Sequence, residues 1–268
     1  MPISPGTHLL YTVHPNDTLH SIAVRLGTNV PSLVQINALY PPVADPNRIF
    51  PGQALLARLP GMAEQSAVLY QVQPGDTLYR IADRFSVSAD MLAGVNQLQQ
   101  PDLLRVGQLL YIAAFAYEAE PGDSLYRISR RFGIPMSAWI RANRSRPALS
   151  SLDVLYPGFH LVAPLPSSTN IVVFEPLPGT RVSQGQRLSG SARAFEATIH
   201  YQIRDAMDSP VTGERTATAA QGAPAFGAFV VQISFDQAPS TPNGVLMVYT
   251  RSARDGSMQD LVDVPVIF

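Results

Sequence analysis

The residues in this chain that could do chemistry together are an Asp and a neighbouring Thr or Ser, which recur as a pair three times. They belong to the segment Pro-x-Asp-Thr/Ser-Leu-x-x-Ile-Ala/Ser, which starts at Pro15, Pro74 and Pro121. Carboxylates and hydroxyls at such a place accept hydrogen bonds from the free N–H groups of a first helical turn. The segment therefore predicts three helix starts, each capped by its Asp and its hydroxyl residue.

Composition excludes several kinds of reactive site. The chain has no Cys, and all 19 of its basic residues are Arg, so thiolate sites, disulfides and Schiff-base lysines are ruled out. A wall-cleaving enzyme needs paired carboxylates, a metal triad or a nucleophile with its base. The five His are scattered without metal-ligand spacing, and Glu196 reads as a lone acid on a strand edge that serves fold or solubility. We therefore predict no enzyme, no cofactor and no metal site.

The threefold motif keeps its inner spacing along the chain. An Asn follows each Asp by twenty residues, at Asn37, Asn96 and Asn143, and each copy closes on an Ile/Leu-x-x-Gly element. We expect these Asn side chains to bond local backbone. The copies start 59 and then 47 residues apart, whereas a solenoid repeats at a near-fixed period, so separate small domains are expected.

Each copy also has the same order of predicted elements. A short apolar strand comes first, then two helices with apolar residues at helical spacing, then a second apolar strand. Gly27 and Gly133 fall where a helix ends in a left-handed residue. The order is strand, helix, helix, strand in each copy.

The middle copy carries a clear family resemblance. It reads YQVQPGDTLYRIADRF, then NQL, then VGQLLYI, and is similar to the signature Tyr-x-Val-x-x-Gly-Asp-Thr-Leu-x-x-Ile-Ala, Asn and Gly-Gln-x-Leu of LysM domains. The first copy has Asn16 for the motif Gly. The third has Ser124 for Thr and reads Gly158-Phe159 for Gly-Gln. The resemblance predicts three small α+β domains of βααβ order, at residues 9–59, 68–113 and 115–164.

The LysM resemblance implies binding of polymers that contain N-acetylglucosamine, namely peptidoglycan or chitin-type glycans. The ligand would lie in a shallow groove between the strand-to-helix loop and the helix-to-strand loop. By motif position, the first wall of the grooves consists of Asp17, Thr18 and Leu19, of Asp76, Thr77 and Leu78, and of Asp123, Ser124 and Leu125. The second wall consists of Ile49 and Phe50, of Leu104 and Arg105, and of Leu155 and Tyr156.

The copies differ in ways that predict unequal affinities. The closing Gly lies fifteen positions after the Asn in copies one and three, against eleven positions in copy two. The longer loops carry Phe50 and Tyr156, which could stack on a sugar face, whereas copy two has Arg105 there. Residues 60–67 read as a loose linker, while only about four residues join copies two and three, so those two are expected to pack together.

The last hundred residues have a different pattern. Seven short runs of alternating residues, separated by turn signals such as Asn243-Gly244, predict an all-β sandwich at residues 170–268. The segments PLPG, LSGSA, FEA and a late Asp255-Gly256 resemble the immunoglobulin-like domain of bacterial spore-germination proteins, the type that accompanies the GerMN domain. That resemblance implies no site residues.

The bulk properties limit the partners and the location. A net charge of −1 does not favour nucleic acid, and no run approaches the ~18 apolar residues of a membrane span. The N-terminus shows no secretion signal, so either none is made or one has been removed. We predict non-catalytic, multivalent glycan binding that anchors an immunoglobulin-like interaction domain, with a possible protein partner, at the cell wall, spore envelope or cell exterior. The alternative is an accessory or catalytic component of a cell-wall hydrolase system.

Overall fold

A computed structural model of the chain describes residues 3–41, 45, 48–63, 66–147 and 155–268. These residues form two compact units. The first contains the described residues of Met1–Ser86, Leu98–Arg130 and Ile134–Pro164. The second contains Val87–Gln97, Arg131–Gly133 and Leu165–Phe268.

The three repeats, numbered 1 to 3 in chain order, each have the predicted order of strand, helix, helix and strand. The bounds in repeat 1 are β1 (Thr7–Thr12), α1 (Leu19–Leu26), α2 (Val30–Ile36) and β2 (Ala54–Arg58). Those in repeat 2 are β3 (Ala67–Gln71), α3 (Leu78–Arg84), α4 (Ala89–Val95) and β4 (Leu109–Ile112). Those in repeat 3 are β5 (Ala114–Glu118), α5 (Leu125–Phe132), α6 (Met136–Ala142) and β6 (His160–Pro164).

The first helix of each repeat is capped by the hydroxyl residue of the motif and not by the Asp. Thr18 and Ser21 form a reciprocal capping box in which each side chain accepts from the other residue's backbone N–H at 3.0 Å. Thr77 Oγ1 accepts from the backbone N–H of Arg80 at 3.2 Å. The predicted cap by the hydroxyl is therefore confirmed, whereas the predicted cap by the Asp is wrong, because its carboxylate points elsewhere. Gly27, at φ 66°, ends α1 in the left-handed conformation as predicted.

Repeats 1 and 2 share one four-stranded sheet of order β2-β1-β3-β4. The central pair, β1 and β3, is parallel, with Thr7 opposite Ala67, and the two outer pairs are antiparallel. Repeats 1 and 2, which the sequence predicts as separate small domains, are therefore joined through this sheet. Each repeat has only two strands and would leave backbone N–H and C=O groups unpaired at both edges, and pairing β1 with β3 satisfies one edge of each.

Repeat 3 forms its own two-stranded sheet, β5-β6, and joins the others through backbone bonds. The N–H of Ser4, just before β1, donates to the carbonyl of Ala116 in β5 at 2.9 Å. The N–H of Ala54, the first residue of β2, donates to the carbonyl of Ser145 at 2.8 Å. Repeats 2 and 3 also touch, since Ser66 Oγ accepts from the N–H of Ala116 at 3.1 Å. The first unit is thus held together through all three repeats.

The second unit contains the predicted β-sandwich. Its two sheets have the strand orders β10-β9-β12-β13 and β11-β8-β7, and side chains from both sheets enclose one apolar core. The bounds are β7 (Ile171–Glu175), β8 (Arg187–Ala192), β9 (Thr198–Asp205), β10 (Pro210–Thr218), β11 (Gly227–Gln232), β12 (Asn243–Arg251) and β13 (Met258–Ile267).

Candidate functional site

Two backbone hydrogen bonds bring the two predicted walls of each groove to the same end of the repeat. In repeat 1 the N–H of Gly52 donates to the carbonyl of Val13, and the N–H of Val13 donates to the carbonyl of Gln53, both at 2.8 Å. The loop before α1 and the loop before β2 therefore leave the sheet side by side. The same pair of bonds recurs at Val72 with Gly107 and Gln108, and at Ala119 with Gly158 and Phe159.

The motif Asp of each repeat fixes the first of these loops from the inside. In repeat 1, Asp17 Oδ2 accepts from the Tyr11 hydroxyl at 2.6 Å and from the His14 backbone N–H at 2.9 Å. The corresponding bonds come from Tyr70 and Gln73 to Asp76, and from Tyr117 and Glu120 to Asp123. The carboxylates are thus committed to loop structure. The sequence did carry a signal for this clamp, because a Tyr precedes each Asp by six residues.

An Arg strengthens the clamp of repeat 1. Arg25 Nη2 lies 3.0 Å from Asp17 Oδ1, and its Nη1 donates to the Tyr11 hydroxyl. Burial acts to raise the pKa of Asp17, but the bonds donated by Tyr11, His14 and Arg25 outweigh it and hold that pKa below its usual range. Burial and the adjacent Asp17 carboxylate raise the pKa of Tyr11 to about 12. The group therefore carries one negative and one positive charge at neutral pH.

The rest of the first wall consists of a hydroxyl residue and the leucine that follows it. Thr18 and Thr77 are exposed to solvent. Leu19 and Leu78, the first residues of α1 and α3, are almost completely buried. Such a surface offers a hydroxyl group beside an apolar side chain.

The second wall is a turn held by a Gln side chain. Gln53 Oε1 accepts from the N–H of Phe50 at 2.9 Å, and Gln108 Oε1 accepts from the N–H of Arg105 at 3.0 Å. Phe50 and Arg105 are exposed, and Arg48 lies over the Phe50 ring at 5.7 Å. In repeat 3 the residue that corresponds to the Gln is Phe159, which has no amide to offer.

Ile49 and Leu104 are half-buried within this second wall. A shallow hollow of about 550 Å³ adjoins the wall of repeat 2. It is lined by Leu98, Gln99, Gln100, Leu103, Arg105, Val106 and Gln108.

The site residues of repeat 3 are more buried than their counterparts. Ser124 and Tyr156 are half-buried, and Asp123, Leu125 and Leu155 are buried. All fifteen predicted site residues thus lie at the loop ends of their repeats, and those of repeats 1 and 2 are more exposed than those of repeat 3.

The repeated Asn side chains bond local backbone, as predicted. Asn143 donates to the carbonyls of Trp139 and Val162 at 2.9 and 2.7 Å and accepts from the Val162 N–H at 2.8 Å. Asn37 makes the same set with Leu33 and Leu56. Each of these side chains ties the second helix of its repeat to the last strand.

The second unit has a charged cluster on its larger sheet. Glu214 accepts from Arg251 and from the Tyr249 hydroxyl, and His200 Nδ1 lies 3.1 Å from Glu214 Oε1. The bonds from Arg251 lower the pKa of Glu214 to about 2. Glu196 is exposed in a turn before β9, with a left-handed φ of 52°.

The part of the chain that the structure describes contains neither a cluster of metal-binding side chains nor a membrane-spanning helix. There, His, Asp and Glu side chains nowhere gather in threes that could hold a metal ion. No helix within the same described residues has the length and hydrophobicity needed to span a bilayer.

Comparison with protein-family models identifies both parts of the chain. The LysM domain model matches residues 11–57, 70–113 and 117–164, which together are more than half of the chain. The Gmad2 model, described as an immunoglobulin-like domain of bacterial spore germination, matches residues 170–257. These matches confirm the architecture predicted from sequence.

Individual relatives match parts of the chain. YdhD of Bacillus subtilis (strain 168), provisionally named a sporulation-specific glycosylase, is 35% identical over 103 residues, which are 38% of this chain and 21% of YdhD. The secreted LysM effector ECP6 of Passalora fulva is 29% identical over 125 residues, 40% of this chain and 53% of ECP6. The crystal structure of the Bacillus cereus spore cortex-lytic enzyme SleL is 36% identical, covers 39% of this chain and 22% of SleL, and gives a TM-score of 0.29.

The chain spans only about a fifth to a half of the lengths of these two curated relatives. The LysM matches and the similarity to YdhD support glycan binding in a cell-wall or spore context. The chain belongs to the LysM family, with three LysM domains followed by a Gmad2 immunoglobulin-like domain.

Proposed function

We propose that this chain binds N-acetylglucosamine-containing glycan, as peptidoglycan or spore cortex, without cleaving it. In this proposal the LysM repeats, with the bounds predicted from sequence, hold the glycan. The immunoglobulin-like domain, residues 170–268, then serves as the interaction domain that is anchored at the cell wall, the spore envelope or the cell exterior.

One observation carries the proposal. Repeats 1 and 2 each place an exposed Thr and an almost buried Leu opposite an exposed Phe50 or Arg105, beside two backbone-paired loops. A shallow, partly apolar groove with few polar groups suits a neutral sugar that presents an acetamide methyl, one donor and one acceptor.

The shared sheet adds a reason for multivalent binding. Because β1 pairs directly with β3, the grooves of repeats 1 and 2 are fixed relative to each other within the first unit. Two sites held in a geometry that one glycan can span gain roughly 10²–10⁴ in avidity over a single site.

Co-sedimentation with insoluble peptidoglycan tests the proposal on the full chain. We expect binding that soluble N-acetylglucosamine tetramer competes away, and we expect the double variant Phe50→Ala and Arg105→Ala to weaken it by about tenfold or more. The matched control is Val230→Ala, which truncates a similarly exposed side chain in the second unit and should change nothing. Retention of full binding by the double variant would contradict the assigned grooves.

The second candidate is a part of a cell-wall hydrolase system, either accessory or catalytic. The names of YdhD and SleL, a glycosylase and a cortex-lytic enzyme, favour it. Purified chain incubated with peptidoglycan should release no new reducing ends under our proposal. Turnover by the purified chain would establish the second candidate instead.

A further inference from the structure

The three repeats carry the same motif positions but expose them to different extents. Along the first wall, every position is more buried in repeat 3. The motif acid is half-buried in repeats 1 and 2 but buried in repeat 3, and the hydroxyl residue is exposed in repeats 1 and 2 but half-buried in repeat 3. The leucines that follow the hydroxyl residue, Leu19, Leu78 and Leu125, are 8%, 7% and 0% exposed.

The second wall follows the same trend. Ile49 and Leu104 are half-buried, whereas Leu155 at the same position is only 2% exposed. Phe50 and Arg105 are exposed, whereas Tyr156 is half-buried. The aromatic residue of repeat 3 is thus less available to a sugar than the aromatic residue of repeat 1.

A hydrogen bond across the groove explains part of this difference. The backbone N–H of Leu155, on the second wall, donates to the backbone carbonyl of Asp123, on the first wall, at 3.4 Å. The two walls of repeat 3 therefore bond to each other. In a groove that recognises ligands through loop backbone, this bond consumes one donor and one acceptor that a sugar acetamide would need.

The replacement of the motif Gln by Phe159 in repeat 3 also forms part of its contact with repeat 1. Phe159, in place of the motif Gln, is fully buried, and the guanidinium of Arg146 lies 4.8 Å from its ring centre. Arg146 Nη2 in turn donates to Asn37 Oδ1 of repeat 1 at 3.0 Å. Ser145, the residue before Arg146, accepts from the N–H of Ala54.

We propose that the repeats divide their roles, so that repeats 1 and 2 bind glycan while repeat 3 is a scaffold whose groove is closed. This inference rests on the proposed function. It specifies which copies carry it, and it assigns repeat 3 the task of holding the first repeat in place through Ser145, Arg146 and Phe159.

Titration of the full chain with N-acetylglucosamine trimer tests the division of roles. We expect two equivalents of trimer per chain by calorimetry, with backbone amide shifts in NMR spectra at Ile49, Phe50, Leu104 and Arg105 and none at Leu155 and Tyr156. A third equivalent, or shifts at Leu155 and Tyr156, would overturn the inference while leaving the proposed function in place.

Matched alanine variants locate the sites. Phe50→Ala should weaken one of the two sites by about tenfold, and Tyr156→Ala at the equivalent position should leave the titration unchanged. A loss of binding in Tyr156→Ala as large as that in Phe50→Ala would also overturn the inference.

Hydrogen exchange measured without ligand tests whether the groove of repeat 3 is closed. Failure of the trimer to bind any repeat would instead contradict the proposed function. Because the Leu155 N–H is bonded across the groove, its hydrogen exchange should be about tenfold slower than that of the Ile49 and Leu104 amides. Exchange of all three at similar rates would show that the groove of repeat 3 is as open as the others.

Discussion

At the scale of single residues, the motif Asp shows how one side chain can be read in the wrong role. A carboxylate before a helix usually caps it, yet Asp17, Asp76 and Asp123 accept from a Tyr hydroxyl and from a backbone N–H three residues earlier. The bonds shape the loop that forms the first wall of each groove. Removing a donor from such a carboxylate is expected to cost stability before it affects ligand contacts.

The repeat 2 clamp gives a direct test of this role. Tyr70→Phe removes the hydroxyl that donates to Asp76 at 2.7 Å and should lower the free energy of unfolding by about 1–2 kcal/mol, measured by urea denaturation. The control is Tyr79→Phe, since Tyr79 is 74% exposed, and its effect should stay within about 0.5 kcal/mol. Equal effects of the two substitutions would mean that the clamp contributes nothing.

At the scale of elements, the second helix of a repeat and its last strand have no backbone ladder to join them. Asn143 supplies that link between α6 and β6 through three bonds, all of them buried. Only Asn and Gln side chains carry two N–H donors and an acceptor oxygen on one planar group, and Asn is the shorter of the two. This requirement accounts for an Asn at the same place in each copy.

Asn143→Ala should therefore destabilise the first unit by about 3 kcal/mol, because it removes the side chain that bonds the buried N–H and C=O groups of Val162. The chain has a single Trp, and Trp139 is fully buried, so its fluorescence reports unfolding of this repeat. Gln35→Ala, which truncates an exposed amide on α2, serves as the control and should leave the unfolding midpoint unchanged. A midpoint for Asn143→Ala equal to that of the unmodified chain would contradict the linking role.

At the scale of the whole first unit, repeats 1 and 3 meet around two buried histidines. Ser4 Oγ lies 3.3 Å from His8 Nε2 and 3.1 Å from His160 Nε2. Burial and the neighbouring His160 lower the pKa of His8 to about 4. Arg58 and Arg146 also oppose a charge on His8, while Glu118 faces His160.

This junction makes stability depend on pH. The folded state keeps His8 neutral down to about pH 4, whereas an unfolded His takes up a proton below about pH 6.5, so stability is full above pH 6.5 and is lost as pH falls toward 4. The loss from His8 is on the order of 3 kcal/mol. Urea denaturation at several pH values should show a smaller loss in His8→Gln, and the same loss as the unmodified chain in His20→Gln, whose side chain is exposed. An unaltered pH dependence in His8→Gln would rule out this origin.

Much of the architecture could be predicted from sequence because it depends on local patterns. The apolar spacing after Thr18 and Thr77 predicted helices, and the alternation from Ile171 onward predicted the seven strands of the sandwich. These signals are local, since periodicity determines which face of an element is buried and turn residues determine where it ends. The repeated spacing of Tyr11 and Asp17 could also have predicted their hydrogen bond, but the sequence analysis missed it.

The sequence by itself determined the elements, their order and the family to which the three repeats belong. The tertiary structure decided that β1 pairs with β3, that Arg146 reaches Asn37 and that the walls of repeat 3 bond to each other at Leu155. Contacts of this kind join residues far apart in the chain, and they form where unpaired strand edges and apolar surfaces find partners in three dimensions. The motif repeats locally in all three copies, but the exposure of each groove depends on what packs around it, which no local pattern records.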